Sequence, residues 1–172
     1  MLKAIIVDDH PFIRSALRML LKQQHFDVVA EAGNGADAVQ QARENEPDLV
    51  ILDIAMPKLD GLEVISRIRA LNLSCKILVL TSQSAQFYAM RCMRAGATGY
   101  LSKTNELEEL VKAIKVVMDG YTYFPNLAIS SGSRSESSET DLELIQSLSD
   151  RELTVLQRLA TGLSNKEIGE AM

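Results

Sequence analysis

Through Phe124 the chain alternates short apolar runs with longer stretches in which apolar residues recur at helical spacing. The runs at 4–7, 28–30, 49–52, 77–80 and 99–101 are too short, and too rich in β-branched and apolar residues, to be independent helices, and they read as strands. Of the segments between and after them, the first places Ile13, Ala16, Leu17, Leu20 and Leu21 on one helical stripe. The fifth does the same with Leu107, Leu110, Val111, Ile114, Val117 and Met118. Pro11 suits the first turn of the former, whereas Asn105 with Glu108 predicts a cap for the latter and Gly120 its end. Five strand–helix units in succession predict an α/β fold with a doubly wound, five-stranded parallel sheet, for which we expect strand order 2-1-3-4-5.

The pattern changes after Pro125. Six of the nine residues from Ser130 to Ser138 are serine, which reads as a flexible linker over 125–147. Beyond it, Ser149 with Glu152 and Ser164 with Glu167 each match the S-x-x-E capping box, with Gly162 between them as a helix stop. Two short helices joined by a tight turn are expected. Met172 falls only about two turns into the second, which leaves that segment too small to bury much apolar surface alone.

Composition narrows the class. Of 172 residues, 47% are hydrophobic and 24% charged, an ordinary soluble composition. At about 150 residues per domain, one domain of full size fits and the remainder must be small or incomplete. No apolar run approaches the ~18 residues of a membrane span, and the first residues lack a signal-peptide layout, so a cytoplasmic location is expected. Cys75 and Cys92 are then expected to be reduced and structural, and two histidines make a zinc site poorly supported. The net charge of −5, with no block of lysine or arginine, argues against a large nucleic-acid surface within this chain. Up to Phe124 there are 14 basic and 15 acidic residues, against 4 and 8 afterwards, so the tail is the more acidic part.

In an open parallel sheet, chemistry belongs at the carboxyl ends of the strands near the point where strand order reverses. There, Asp8 and Asp9 follow the first strand, Asp53 the third and Thr81 the fourth, while Lys103 lies two residues past the fifth. Three carboxylates gathered at one edge repel unless a cation joins them. A hard divalent ion such as Mg²⁺, which takes carboxylate and carbonyl oxygens, water and a phosphate oxygen, resolves the conflict. A carboxylate beside Mg²⁺ can attack a phosphoryl group to form an aspartyl phosphate. Lys103 would then neutralise the phosphoryl oxygens and the Thr81 hydroxyl would donate to one of them.

The stretches IIVDDHP from Ile5, DLVILDIAMPKLDGLEVI from Asp48, LVLTS ending at Ser82 and GATGYLSK ending at Lys103 together resemble the receiver domain of two-component response regulators, over roughly 1–124. The resemblance implies that Asp53 accepts phosphate from a histidine kinase or phosphorelay. It further implies that Asp8, Asp9 and Asp53 hold Mg²⁺ with the Ala55 carbonyl, that Thr81 and Lys103 contact the phosphoryl group, and that Tyr100 reorients when Thr81 is drawn toward it. Receivers commonly carry a cis proline after the lysine, whereas Thr104 stands here, and a cis bond before a non-proline residue is costly.

From Leu148 to Met172 the sequence LSDRELTVLQRLATGLSNKEIGEAM resembles the start of the LuxR-type helix-turn-helix of NarL/FixJ regulators. In that family the next helix enters the DNA major groove and a further one serves dimerisation. Both would lie beyond Met172, so a shortened product or proteolytic fragment is expected, as is promoter binding by a full-length homodimer but not, specifically, by this chain. Lys166 alone among four acids is no DNA surface. The first and fifth helices, or the fourth helix with the fifth strand, are open as the dimer face. The expected function is therefore a non-enzymatic, phosphorylation-switched transcription regulator. A receiver acting by protein contacts or as a phosphate sink is the alternative. A phosphatase of the haloacid-dehalogenase type is disfavoured, because Ala55 stands where such enzymes place a second acid.

Overall fold

A computed structural model describes residues 1–126 and 147–160, and the chain divides into two compact units, Met1–Pro125 and Asn126–Met172. The elements of the first unit are β1 (Leu2–Val7), α1 (Pro11–Gln23), β2 (Phe26–Ala32), α2 (Gly35–Asn45), β3 (Leu49–Leu52), α3 (Gly61–Ala70), β4 (Lys76–Thr81), α4 (Ala85–Ala95), β5 (Gly99–Ser102) and α5 (Leu107–Met118). All five strands are parallel in the order β2-β1-β3-β4-β5. Each expected strand is present, and β2 is longer at both ends than its apolar centre suggested.

Alternation along the strands sends successive side chains to opposite faces. Ala4, Ile6, Leu49, Ile51, Leu78, Leu80 and Leu101 pack on one face with Leu17, Leu20 and Leu21 of α1 and Leu110, Ala113, Ile114 and Val117 of α5. The intervening residues Ile5, Val50, Ile77 and Val79 are also fully buried, so the sheet is covered on both sides. Cys75 and Cys92 are buried free thiols.

Several details differ from the sequence reading. Ala16 and Leu107 are exposed, because each lies at the rim of its stripe rather than over the sheet. Asn105 does not cap α5. Its N–H donates to the Ser102 carbonyl in the preceding turn, and the helix is instead entered through Glu106, whose side chain makes no capping bond. Pro11 does stand in the first turn of α1, and Gly120 follows α5 with φ of 94°. After Lys103 the chain stays trans, like every peptide bond among the described residues. The Ser102 hydroxyl accepts from the Thr104 N–H at 3.2 Å and lies 2.8 Å from the Thr104 hydroxyl, so the turn is held by side chains where proline is absent.

One glycine is required by close approach. A Cβ on Gly61 would sit 2.3 Å from the Ile54 Cα, because the start of α3 lies against the backbone of the loop that follows β3. In the second unit, α6 (Asp150–Ala160) begins with the expected box: the Ser149 N–H and hydroxyl both donate to Glu152 Oε2 at 2.7 Å, while the Glu152 N–H donates back to the Ser149 hydroxyl. These bonds hold the Glu152 carboxyl below its usual range. The serine-rich linker, the turn at Gly162, the box at Ser164 and Glu167, and Lys166 lie outside the described residues.

Candidate functional site

The site is a product of ladder register. Val7 at the end of β1 pairs with Leu52 at the end of β3, so Asp8 and Asp53 leave neighbouring strands at the same level. The ladder continues through them: the Asp8 N–H donates to the Ala32 carbonyl and the Asp53 N–H to the Val7 carbonyl. Both backbones are thereby fixed, and both side chains are buried. Asp9, whose side chain is 30% exposed, and His10 complete a group whose potential ligand atoms all lie within 4.8 Å of one another.

Lys103 enters from the far side of the sheet's edge. Its N–H donates to the Thr81 carbonyl, anchoring the loop after β5 to the end of β4, and its Nζ reaches Asp8 Oδ2 at 2.6 Å and Asp53 Oδ2 at 2.8 Å. Burial alone opposes the charge on this amine, but hydrogen bonds and attraction from Asp53 and Asp8 outweigh it and hold the Lys103 pKa above its usual value. The other Asp53 oxygen, Oδ1, accepts from the Ala55 N–H at 2.9 Å, which turns the loop after β3 so that Ala55 stands beside the acids.

Thr81 is fully buried at the end of β4, and its hydroxyl accepts from the Gln83 N–H. The Gln83 carbonyl in turn accepts from the Tyr100 hydroxyl at 2.7 Å. Tyr100 is 1% exposed, an interior residue rather than the amphipathic edge residue its composition would equally allow. Burial, together with the neighbouring Cys92, Tyr88 and Asp53, raises its phenol above the ordinary tyrosine range. The structure thus brings together Asp8, Asp9, Asp53, Ala55, Thr81 and Lys103, and joins Tyr100 to Thr81 through Gln83.

Two neighbours were not foreseen. Arg14, one turn inside α1, donates from Nη1 to the Asp8 carbonyl at 2.7 Å and from Nε to Glu31 at 3.2 Å, tying the acidic loop to β2. His10, adjacent to the acids in sequence, turns its ring back so that Nδ1 lies 3.0 Å from Asp8 Oδ1. Adjacency to Asp8 and Asp9 was a signal available for His10; nothing local marks Arg14. The donor set fits a hard divalent cation: carboxylate oxygens predominate, and the buried Asp9 Oδ1 makes no hydrogen bond among the described residues.

Comparison with known proteins agrees with this geometry. The model of the response regulator receiver domain matches residues 4–115, and that of bacterial regulatory proteins of the luxR family matches 146–172. The virulence-factor transcription regulator BvgA of Bordetella pertussis is 48% identical over 170 residues, covering 99% of this chain and 81% of BvgA. A Pseudomonas aeruginosa protein described as a transcriptional regulator is 50% identical over 172 residues, covering 100% of this chain and 83% of its own length. Among solved structures, a LuxR-family two-component response regulator from Aurantimonas superposes with a TM-score of 0.68 at 29% identity, over 84% of this chain and 96% of that one. With a parallel 2-1-3-4-5 sheet that carries an acidic cluster and a lysine at its edge, and a luxR-family segment after it, the chain belongs to the two-component response regulators that join a receiver domain to a LuxR-type DNA-binding region.

Proposed function

We propose that Asp53 is the phosphoacceptor of a receiver domain at 1–124, joined through a linker at 125–147 to the beginning of a LuxR-type helix-turn-helix at 148–172. The observation that carries this reading is Lys103 Nζ bridging Asp8 and Asp53, two buried carboxylates that only a cation makes compatible. The phosphoryl donor is the phosphohistidine of a histidine kinase or phosphorelay protein. An Asp53 carboxylate oxygen attacks phosphorus, the P–N bond breaks, and the imidazole leaves with the electron pair. Asp8, Asp9, Asp53 and the Ala55 carbonyl would hold Mg²⁺, which supplies charge neutralisation for the incoming phosphoryl oxygens.

The chain's own groups do the rest. Lys103, already beside Asp53, keeps its proton and pairs with a phosphoryl oxygen. The Thr81 hydroxyl, now an acceptor for the Gln83 N–H, turns to donate to another. That movement draws on the loop whose Gln83 carbonyl holds Tyr100, so the phosphoryl charge reaches the β4–α4 surface through one hydroxyl and one loop. The output is control of promoter DNA by a homodimer of the full-length regulator, in the cytoplasm, and the chain turns over no substrate of its own. Among the described residues no helix is long and apolar enough to cross a membrane.

Incubation with acetyl phosphate and Mg²⁺, followed by intact-mass measurement, tests the assignment. A single hydroxylamine-labile adduct is expected, and it disappears in Asp53→Asn. No adduct, or one that persists in Asp53→Asn, refutes it.

A further inference from the structure

The chain leaving α5 does not run straight out to solvent. Gly120, at φ of 94°, follows the helix, and the next residues turn back along β5, the outer strand of the sheet. There Tyr123 forms an isolated parallel bridge with Gly99. Its N–H donates to the Thr98 carbonyl at 3.1 Å, and its carbonyl accepts from the Tyr100 N–H at 2.8 Å. Its hydroxyl donates to Glu109 Oε1 in the first turn of α5, and its side chain packs against the core that includes Leu110 and Ile114 of that helix. Tyr121 and Thr122 beside it are exposed, so residue 123 carries the attachment.

Two features keep this attachment close and short. A Cβ at Gly99 would lie 3.0 Å from the Tyr123 carbonyl oxygen and 2.8 Å from Leu78 Cδ1, so only glycine leaves the returning chain its seat. The pairing cannot lengthen, because residues of an extended segment alternate sides and the next to face β5 is Pro125, which has no N–H. A single bridge therefore covers the open edge of β5, a contact small enough to open without unfolding the sheet.

The residue across the bridge is Tyr100. Its N–H holds the Tyr123 carbonyl while its hydroxyl is held by the Gln83 carbonyl, so one residue joins the loop after β4 to the chain after α5. Tyr100 is fully buried, and a side chain of that size among close-packed neighbours leaves its place only with movement of its own backbone. Resting on the reading of Asp53 as the phosphoacceptor, we infer that Tyr123 is a latch on the β5 edge that opens when Tyr100 leaves the Gln83 carbonyl, freeing the chain that leads to the luxR-family segment. The signal then leaves the receiver along the chain itself, at residue 123. Linked equilibria are reciprocal, so a latch weakened beforehand favours the phosphorylated state.

Fluoroberyllate with Mg²⁺, a reversible mimic of the phosphoryl group, tests this on the full chain. Amide exchange is followed by NMR in the wild type, and fluoroberyllate affinity is measured for the wild type, Tyr123→Phe, Glu109→Gln and Asp53→Asn. With fluoroberyllate bound, the Tyr123 N–H should exchange about tenfold faster or more, while the Ile6 and Ile51 amides in the centre of the sheet keep their protection. Tyr123→Phe, which loses the bond to Glu109, should bind fluoroberyllate about fivefold more tightly. Glu109→Gln, which still accepts from the Tyr123 hydroxyl, should stay within about twofold of the wild type. A tyrosine that served stability alone would change the melting temperature and leave that affinity where it was. If fluoroberyllate binds the wild type and is lost in Asp53→Asn, yet Tyr123 exchange does not respond, the inference is overturned and the phosphoacceptor reading stands. An unchanged affinity in folded Tyr123→Phe overturns it equally, and the exchange measurement decides the matter where that variant folds poorly. If the wild type binds no fluoroberyllate, the inference and the phosphoacceptor reading fall together.

Discussion

Replacing Lys103 with methionine retains a long apolar stem and removes the ammonium that lies between Asp8 Oδ2, at 2.6 Å, and Asp53 Oδ2, at 2.8 Å. Both carboxylates are buried, and their potential ligand atoms lie within 4.8 Å of each other. Two unit charges at that separation repel by about 3.5 kcal/mol at an effective dielectric of ~20. This falls in the range of about 3–5 kcal/mol measured when one partner of a buried ion pair is removed. For a domain of this size roughly 4 °C of Tm corresponds to 1 kcal/mol, so Lys103→Met should melt about 14 °C lower than the wild type in EDTA. Mg²⁺ should reverse much of the loss, because a ligand at a hundred times its Kd stabilises by about 2.7 kcal/mol. The variant should also bind Mg²⁺ more tightly than the wild type, since no ammonium competes for the carboxylates. Thermal melts across an Mg²⁺ series, with calorimetric titration, measure both effects, and Asp53→Asn in the same background should recover part of the stability by relieving the repulsion. A Tm loss below about 3 °C in EDTA, or an Mg²⁺ affinity that is unchanged or weaker, would refute the electrostatic account of the site.

Tyr100→Phe should cost about 1 kcal/mol at neutral pH by deleting the bond to the Gln83 carbonyl. It should also flatten the alkaline limb of the stability profile. Because burial raises the folded pKa of Tyr100, its contribution is complete below the unfolded tyrosine value of about 10 and is lost as pH rises above it. Lys103 and Tyr123, the latter pushed up to about 12 by its hydrogen bond to Glu109 and by burial, titrate in the same alkaline region in both proteins. The difference between urea melts of the two from pH 7 to 11 therefore isolates Tyr100, and parallel limbs would count against its buried, hydrogen-bonded placement. Gly61→Ala forces a methyl group to within 2.3 Å of the Ile54 backbone, so the loop carrying Ala55 must move. A loss of about 2–3 kcal/mol in urea unfolding and weaker Mg²⁺ binding are expected. Wild-type values for both would show that the loop yields freely.

What could be read without the fold was most of what depends on local repetition, the Asn105–Glu108 cap excepted. Apolar or β-branched runs of three or four residues make strands, and stripes at helical spacing make α1 and α5. Acids placed directly after strands gather at one edge because parallel strands all end on the same side. The capping box at Ser149 was equally legible, since its bonds span only three residues. The rim positions Ala16 and Leu107 were not: periodicity gives the direction of a stripe, and only the packed neighbour gives its width.

The charges followed a different rule. That Lys103 neutralises Asp8 and Asp53 together, across 50 residues of sequence in the second case, depends on Val7 lying opposite Leu52 and on the Lys103 N–H reaching the Thr81 carbonyl. Arg14 meets the Asp8 carbonyl only because α1 packs back beside β1 and β2, and Tyr100 becomes an interior residue because β5 is covered by its neighbours. Helical and turn hydrogen bonds and periodic burial act between residues close along the chain, so the sequence by itself determined the elements and the set of acids. Ion pairing acts between whichever side chains the register delivers to the same few ångströms, so only the tertiary structure decided which cation meets which carboxylate.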